Sequence, residues 1–541
     1  MPGKKLTAAA LLAAASFTAC GNNNAANNSG STTEEVKYPG AEVKVNGDAI
    51  YPVECSDSLT YWLGIGDWGT SFENFADTPL GKELAKQTGV KIEYVHPAQG
   101  QGTEQFQILL ASDELPDITN YAWCNYPGGP DKALSENYIL KLNDLIDKFA
   151  PALKGVLKEH PDWEKQIKSD SGAYYSFPFF MEEGILQFSS GPVLRADWLR
   201  ELGMEAPETI DEWDAVLTAF KEKKGVKIPL TLDLSRLSRC FLPGFGTHFD
   251  WYRDGNTIKY GPAQPEYKDF LAKMNEWYTK GLLDPDFAVQ DSKDIDTKML
   301  NGDAGASYTW AGSGIGQWLN TNKDVAGYDI VGAKYPAMKK GENAEYSMMS
   351  SPVMMYAGAG ISAKCKNPEL ATRFLDYGFT ENGHNLFNFG VEGESFNWVD
   401  KDGEKYPQYT DLIMHNPNGL TVTAAMGQYI TACSSGIMVQ DTRYIEQYYP
   451  HPQQKEAQKN WSYTNMKEHQ IPQLYVLESE SDRDSEVITN LRTYIDEMTL
   501  KFITGKEPLE KFDEYTEQLK KFGIEDATKF RQSAFERYNN R

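Results

Sequence analysis

The sequence predicts an α/β protein, and three observations support that prediction. Strand-like and helix-like segments alternate along the first folded stretch, the C-terminal third repeats apolar residues at helical spacing, and the chain is long. Of its 541 residues, about 500 remain beyond a leader and a linker, which is ample for two or three globular units.

The first folded stretch reads β-α-β-α-β. Its predicted elements are a strand at 59–65, a helix at 78–89, a strand at 90–94, a helix at 103–111 and a strand at 116–119. Thr78 and Pro79 supply the N-cap and the first-turn proline of the first helix, and Gly89 ends it. This order implies a parallel sheet with helices on both faces, whose ligands gather at the carboxyl ends of the strands.

Helices make up most of the remainder. We predict them at 194–202, from Thr209, at 270–278, at 487–502 and from Pro508. Thr209 and Glu212 form a capping box for the second of these helices. Trp198, Trp213 and Trp277 lie at core spacing, so we expect them to pack inside the protein rather than bind a ligand.

The N-terminus resembles the secretory leader of a bacterial lipoprotein. Two lysines precede an apolar run at 6–17, which is too short to span a membrane, and small residues lead to Cys20. We expect a signal peptide at 1–19 and lipidation of the Cys20 sulfur after cleavage; an ordinary secretory signal with an accidental cysteine is the alternative. Residues 20–45 are mostly small and polar and predict a flexible tether.

Composition and motifs exclude several classes of protein. The formal net charge of −24 argues against a nucleic-acid binder, and no second apolar run is long enough to span a membrane. The sequence has neither a Gly-x-Ser-x-Gly elbow nor a His-Glu-x-x-His helix, and its 7 histidines are dispersed, so we expect no cofactor and no metal. The segments 170–172 and 400–404 hold only fragments of a calcium loop.

The cysteines beyond Cys20 form no Cys-x-x-Cys pair. They are Cys55, Cys124, Cys240, Cys365 and Cys433. Their odd number leaves one or two disulfides possible, with buried free thiols as the favoured alternative.

A set of ordered segments resembles the extracellular solute-binding proteins of family 1, the sugar-binding type, and especially the large lipoproteins of Firmicutes. The segments are residues 109–118, 193–203, 207–213, 277–287, 301–306, 361–369, 374–377, 389–394, 501–505 and 519–538. One of them, 277–287, reads Trp-Tyr-Thr-Lys-Gly-Leu-Leu-Asp-Pro-Asp-Phe. Together they span nearly the whole chain after the tether.

The resemblance implies a two-lobed, periplasmic-binding-protein-like fold of type II, with lobes discontinuous in sequence and a helical C-terminus. The expected lobes are lobe 1 at 46–178 plus about 356–392, and lobe 2 at about 179–355 plus 393–541. The expected crossings between the lobes lie near 176–182, 356–362 and 390–396.

The same resemblance implies a receptor without catalysis. An oligosaccharide would enter the cleft, the lobes would close, and the closed form would dock on the transmembrane subunits of an ABC permease. We expect a monomer on the extracellular face of the cell membrane, held there only by its lipid.

The candidate ligand contacts are aromatic residues beside planar polar ones. Rings cover the apolar faces of a sugar, while carboxylate, amide and guanidinium groups bind its hydroxyls. The candidates are Asp67, Trp68, Asn120, Tyr121, Trp123, Arg239, Trp251, Trp310, Glu394 and Trp398. For Trp68 the alternative is a ring folded back on its own lobe, and at 392–398 a structural β-turn is favoured.

Two other functions stay open. A receptor of the same fold for peptides or other solutes is the first, although anchors for charged peptide termini cannot be located. A secreted glycosidase is the second, and it needs two carboxylates across a glycosidic bond. Adjacent acids such as Glu182 and Glu183 do not show that placement, because 77 acidic residues produce such pairs by chance.

Overall fold

The computed structural model describes residues 38–47, 49–65, 71–431 and 436–541. The expected leader and most of the tether lie outside the described residues, and so does the expected lipidation site at Cys20. The candidate contacts Asp67 and Trp68, and Cys433, also lie outside them. The contacts within Pro39–Arg541 gather this part of the chain into one unit.

Strands and helices alternate through most of the described chain. The strands are β1 (Lys44–Asn46), β2 (Ala49–Glu54), β3 (Ser58–Trp62), β4 (Lys91–Val95), β5 (Ile118–Asn120), β6 (Phe177–Met181), β7 (Ser190–Arg195), β8 (Ile228–Leu230), β9 (Trp251–Asp254), β10 (Thr257–Tyr260), β11 (Ala304–Trp310), β12 (Ile330–Gly332), β13 (Val353–Ile361), β14 (Phe396–Lys401), β15 (Glu404–Tyr409) and β16 (Val439–Gln440).

The helices are concentrated in the C-terminal third, as predicted. The α-helices are α1 (Pro79–Thr88), α2 (Gly102–Ser112), α3 (Pro130–Ser135), α4 (Asn143–Phe149), α5 (Pro151–Glu159), α6 (Pro161–Gln166), α7 (Ala196–Leu202), α8 (Ile210–Lys224), α9 (Leu234–Phe241), α10 (Glu266–Thr279), α11 (Ser292–Asn301), α12 (Gln317–Thr321), α13 (Pro368–Asp376), α14 (Glu381–Phe389), α15 (Asp411–Met414), α16 (Val422–Tyr429), α17 (Thr442–Tyr448), α18 (Pro452–Trp461), α19 (Met466–His469), α20 (Glu478–Ile503), α21 (Phe512–Phe522) and α22 (Ile524–Asn539).

Six strands form the first sheet in the order β16-β6-β13-β5-β3-β4. The predicted parallel pairing holds for β3 with β4 and β5, where Leu59 lies opposite Ile92 and Tyr61 opposite Ile118. The sheet is mixed rather than wholly parallel, because β13 lies antiparallel between β5 and β6. The carboxyl ends of β3, β4, β5 and β6 therefore meet at one side of the sheet, which we call the first edge.

Four strands form the second sheet in the order β12-β7-β11-β8. Here β8 runs parallel to β11, while β7 runs antiparallel to both β11 and β12. The carboxyl ends of β8, β11 and β12 meet at one side, which we call the second edge. In both sheets the antiparallel strand in the interior is the one that arrives from the other sheet, β7 in one case and β13 in the other.

Two crossing segments connect the edges. One runs from the end of β6 to the start of β7, and the other from the end of β12 to the start of β13. They bond to each other, because Ser350 N donates to Gln187 O at 2.9 Å and Gln187 Nε2 donates to Ser350 O at 2.9 Å. Both crossings therefore join one carboxyl edge to the other.

The crossings differ in detail from the expected positions. The second one is complete before Val353, where β13 begins, rather than near 356–362. The strand β16 pairs with β6 in the first sheet, although it lies within 393–541, the segment expected in lobe 2. The lobe boundaries themselves stay a prediction.

Each sheet has its own large apolar core. Trp62 and Phe106 belong to the core of the first sheet. Trp213 and Trp277 are fully buried in the core of the second, and Trp198 is 8% exposed there, so the expected packing role of all three is confirmed. The two cores define two lobes, and the C-terminal helices α20 to α22 pack on the second.

Capping residues set the predicted helix boundaries. Thr78 Oγ1 accepts the N–H of Gly81 at 2.9 Å, and Gly89 ends α1 at a φ of 75° that favours glycine. Thr209 accepts the N–H of Glu212 at 3.3 Å, but the Glu212 carboxylate accepts from Glu208 instead of Thr209. The predicted capping box is therefore half formed.

The last helix, α22, reaches both lobes. Gln532 Oε1 accepts the N–H of Ile258 in the β9–β10 hairpin at 2.9 Å. Further along, Arg537 Nε donates to Asp170 Oδ2 at 2.8 Å, and Arg541 pairs with the same carboxylate. The carboxylate at 170–172, a fragment of a calcium loop in the sequence, thus binds guanidinium groups.

Among the described helices, none is long and apolar enough to cross a membrane. Cys55, Cys124, Cys240 and Cys365 are free thiols. Cys124, Cys240 and Cys365 are buried, as the favoured alternative to disulfides expects, whereas Cys55 is half-buried.

Candidate functional site

The first and second edges are the candidate ligand-binding surfaces. Ligands of open α/β sheets bind beyond the carboxyl ends of the strands. The two crossings join these edges, so a ligand between them would contact both lobes.

Asn120 and Tyr121 fix the backbone of the first edge. Asn120 Nδ2 donates to Ala357 O at 2.9 Å and to Gly358 O at 3.3 Å, and Tyr121 N donates to Gly358 O at 3.1 Å. The half-buried Tyr121 ring stacks on Phe106 with 3.5 Å between ring centroids. Asn120 therefore fixes the backbone of the first edge, and part of the Tyr121 surface stays exposed.

Trp123 does not belong to the ligand-binding surface. Its side chain is 0% exposed, and its indole N–H donates to Thr119 O at 3.3 Å. A tight turn at Trp123–Asn125 folds the ring back, where it packs edge-on against Phe106 at 5.2 Å between centroids. The sequence pattern gave no sign of this turn, and we remove Trp123 from the candidates.

Tyr356 belongs to the first edge, although the sequence analysis did not select it. Its side chain is 58% exposed. It lies in the part of β13 where the pairing register with β6 shifts, between Met354 and Ala359. The next residue, Ala357, accepts the hydrogen bond from Asn120. An apolar run such as 353–361 predicts a buried strand, and a bulge depends on the partner strand, so local pattern alone misses it.

Trp310 is the central aromatic residue of the second edge. It is the last residue of β11, lies opposite Ser190 of β7 and is half-buried. The guanidinium carbon of Arg236 lies 5.1 Å from its ring centroid, a cation–π arrangement. A wide turn follows at Ala311–Gly316, in which Gly312 and Ser313 keep exposed surface while the other residues are buried.

The position of Arg236 follows from the start of α9. The Asp233 side chain caps this helix by accepting the N–H of Arg236 at 2.8 Å. The same carboxylate lies 3.3 Å from Arg236 Nε, and Ser292 Oγ accepts from Arg236 Nη2 at 2.6 Å. Asp233 and Ser292 therefore hold the Arg236 side chain in place. In the sequence, the Asp-x-x-Arg spacing at a helix start is the signal that could have indicated this residue.

A buried hydroxyl network supports the second edge from below. Tyr308 Oη lies 3.0 Å from Ser190 Oγ and 3.1 Å from Tyr335 Oη, and Tyr335 donates to Ser190 O at 2.9 Å. Burial raises the pKa of Tyr308 to about 12, so its hydroxyl stays neutral. The network ties β7 to β11 directly before Trp310.

Arg239 lies one helical turn after Arg236 on α9. Its guanidinium carbon is 5.5 Å from the ring centroid of Phe249. Its Nε is buried and has no hydrogen-bond partner in the described part of the chain. Arg239 is a candidate predicted from the sequence, and its positive charge opposes the rise that burial causes in the pKa of Tyr308.

Helices α16 and α17 link the two edges on one side. Ser71 Oγ, which follows the end of β3, donates to Ala424 O at 2.9 Å. The hydroxyls of Thr423 and Tyr448 lie 3.3 Å apart. Tyr448 in turn packs against Gly312 in the turn after Trp310. These contacts connect the two edges along one side.

The remaining candidates have structural positions. Trp251 packs against Tyr260, with centroids 4.7 Å apart, and under the guanidinium of Arg531 from α22 at 4.4 Å. Glu394 is exposed in a turn whose backbone oxygen accepts from Thr410 Oγ1 at 2.6 Å. Trp398 packs edge-on against its neighbour Phe396 in the β14–β15 hairpin. None of these contacts involves the first or second edge.

Within the described residues, no three His, Cys, Asp or Glu side chains cluster as a metal site requires. The edges carry the rings of Tyr121, Tyr356 and Trp310, with the guanidinium of Arg236 over Trp310. Such a surface suits recognition of a polar ligand with apolar faces.

Comparisons with known proteins agree with this architecture. The family described as bacterial extracellular solute-binding protein matches residues 69–384. The fructooligosaccharide ABC transporter substrate-binding protein FusA of Streptococcus pneumoniae serotype 4 is 23% identical over 499 residues, covering 84% of this chain and 86% of FusA.

Two solved structures share the fold. The alginate-binding protein AlgQ2, determined without calcium ion, matches with a TM-score of 0.69 at 24% identity, covering 89% of this chain and 99% of AlgQ2. FusA of S. pneumoniae in complex with kestose matches with a TM-score of 0.69 at 20% identity, covering 90% of this chain and 100% of FusA. The expected two-lobed fold of type II is confirmed.

Proposed function

Because this chain belongs to the bacterial extracellular solute-binding proteins, we propose that it is the substrate-binding lipoprotein of an ABC importer for an oligosaccharide. The sugar binds between the first and second edges, the lobes close around it, and a membrane permease receives it. No bond of the sugar is made or broken in this cycle, since hinge closure requires no chemistry.

The opposition of two aromatic edges across a hinge carries the proposal. Tyr356 and Tyr121 at the first edge and Trp310 at the second supply rings that suit the apolar faces of sugar rings. The planar guanidinium of Arg236 over Trp310 suits the hydroxyls. The likeness to FusA over 84% of the chain favours a sugar over a peptide.

The energies are sufficient for useful affinity. Covering one sugar face removes about 100 Å² of apolar area from water, worth at most about 2.5 kcal/mol. Micromolar binding needs about 8 kcal/mol. Two or three stacked rings with hydrogen bonds to the hydroxyl rim reach that value.

The proposal extends to the cellular position of the protein. Lipidation at Cys20 would hold the protein at the outer face of the cell membrane, and the polar residues after it would let the folded lobes reach the permease. We propose that it acts as a monomer, with the permease subunits as its macromolecular partner.

Calorimetric titration of the soluble protein, from residue 21 onward, tests the proposal. The ligands are a panel of oligosaccharides and short peptides, and the ligand solution is analysed for cleavage afterwards. We expect saturable binding of one class of sugar, with the sugar recovered intact.

Two outcomes would contradict this expectation. Turnover of the sugar would mean an enzyme, and saturable binding of peptides alone would keep the fold but discard the oligosaccharide. Mass analysis of the membrane-bound protein, with Cys20→Ala as control, tests the lipid separately: the lipid mass should be absent from the variant.

A further inference from the structure

We propose that the oligosaccharide carries a carboxylate and that Arg239 binds it. This inference rests on the proposed function and names the substrate class of the same site. It starts from the difference between two arginines on one helix.

Arg236 and Arg239 lie on the same face of α9, one turn apart, but only Arg236 is paired. Asp233 and Ser292 bind its guanidinium. Arg239 has no carboxylate partner among the described residues, and its buried Nε has no hydrogen-bond acceptor there. Its visible contact is the ring of Phe249.

The lack of an acceptor for Nε in the described chain sets Arg239 apart from several other arginines. Acidic residues outnumber basic ones by 77 to 53, so carboxylates to pair with a structural arginine are abundant. Other half-buried or buried arginines do have them: Arg195 pairs with Asp197 at 2.6 Å, and Arg531 with Asp484 at 2.5 Å. A buried donor without an acceptor is costly unless something else supplies the acceptor.

The position of Arg239 indicates that the ligand supplies it. Arg236, one turn earlier, lies over the Trp310 ring at the second edge. Arg239 lies close to Tyr308, two residues before Trp310 on β11, because its positive charge opposes the rise that burial causes in the pKa of that tyrosine. A sugar held on Trp310 would bring a group on its rim toward this guanidinium. The Tyr308 network beneath β11 ties this strand to β7.

The chemistry of the guanidinium selects the class of ligand. Its planar donors match a carboxylate in a two-point arrangement, and such charge-assisted bonds are about twice as strong as neutral ones. The protein as a whole has a formal charge of −24, which repels an anionic sugar. A local unpaired cation is what a site in such a protein needs to bind a uronate rather than a neutral sugar.

The test compares charged sugars with their neutral esters. Trisaccharides of galacturonate and of mannuronate, the methyl ester of each, and neutral kestose are titrated into the soluble protein from residue 21 onward. We expect one uronate to bind at least tenfold more tightly than its methyl ester, and higher salt to weaken this uronate more than the ester.

Three variants locate the effect. Arg239→Met keeps an unbranched side chain and removes the guanidinium that lies over Phe249, so it should abolish the preference for acid over ester. Arg239→Lys should keep part of the preference, because the charge remains without the planar donors. Arg531→Met is the matched control. It removes the guanidinium of α22 that lies over the Trp251 ring of β9, and it should keep the full preference.

The outcomes separate this inference from the function on which it rests. Equal affinity for acid and ester, tightest binding of kestose, or a preference that survives in Arg239→Met overturns the carboxylate proposal and leaves the oligosaccharide receptor intact. If the unmodified protein binds no sugar at all, both the carboxylate proposal and the proposed function are overturned. Thermal unfolding of each variant shows that a lost preference does not come from a lost fold.

Discussion

At the first edge Trp123 is fully buried and donates its indole N–H to Thr119, whereas at the second edge Trp310 is half-buried under the guanidinium of Arg236. Trp123 follows β5 and Trp310 ends β11, and the carboxyl end of each strand belongs to an edge. After β5 the chain turns back at once at Trp123–Asn125, while after β11 it continues through a wide turn of small residues. The backbone after the strand therefore decides whether the tryptophan is buried in the lobe or keeps an exposed surface.

The two edges consequently offer different surfaces. The first edge presents Tyr356 and part of Tyr121 on a backbone that Asn120 fixes. The second edge presents one ring with the guanidinium of Arg236 over it. We infer that the first edge supplies mainly apolar contact, and that the second supplies both contact and selection of polar groups.

Replacing Trp123 should have the largest effect, and it should fall on stability. Trp123→Ala removes a fully buried ring, for which a loss of about 3–5 kcal/mol in the free energy of unfolding is usual. The sugar affinity of the folded variant should stay within about twofold. Denaturant unfolding measures the first quantity and calorimetry below the unfolding midpoint the second; a large loss of affinity at unchanged stability would return Trp123 to the site.

Replacing Trp310 should shift the effect from stability to binding. Trp310→Ala removes one stacking surface worth about 2 kcal/mol, so the dissociation constant should rise by about thirtyfold. The matched control is Trp251→Ala, which removes a ring of the same size in contact with Arg531 and should leave the affinity unchanged. If the two variants weaken sugar binding equally, Trp310 has no special place in the site.

Tyr356→Ala tests the residue that only the structure identified. Loss of a more exposed ring should cost about 1 kcal/mol of binding, a rise of about fivefold in the dissociation constant. Tyr356→Phe keeps the ring and should bind nearly as well as the unmodified protein. An equal loss in both variants would assign the contact to the hydroxyl group instead of the ring.

Asn120→Ala should have the smallest effect on binding. The variant loses the bonds to Ala357 and Gly358, which lowers the free energy of unfolding by about 1 kcal/mol. Affinity should change by no more than about twofold, since Asn120 acts through the backbone near Tyr356. A loss of affinity larger than that of Tyr356→Ala would show that the amide touches the sugar directly.

The elements set by local chemistry could be predicted from the sequence. The threonine cap and the glycine end of α1 and the core positions of Trp213 and Trp277 depend on residues a few positions apart. The parallel pairing of β3 with its neighbours follows from the alternation of strands and helices along the chain. The periodicity of these segments contains that information directly.

Features that depend on distant partners could not be predicted in this way. The exposure of Tyr356 results from a register shift between β13 and β6, and the burial of Trp123 from its packing on Phe106. The pairing that holds Arg236 and the lack of pairing at Arg239 both depend on which side chains the fold brings to α9. Trp310, Tyr121 and Arg239 of the candidate site were therefore predicted from the sequence, whereas Tyr356 and Arg236 were not.

Hydrogen exchange with and without the sugar found by calorimetry tests the central claim most directly, because it reports on both edges in one experiment. The account predicts increased protection on sugar binding at 120–126 and 353–358 in the first lobe and at 308–316 in the second. The C-terminal helix α22 should not change. Protection confined to one lobe, or absent from both edges, would contradict a ligand held between them.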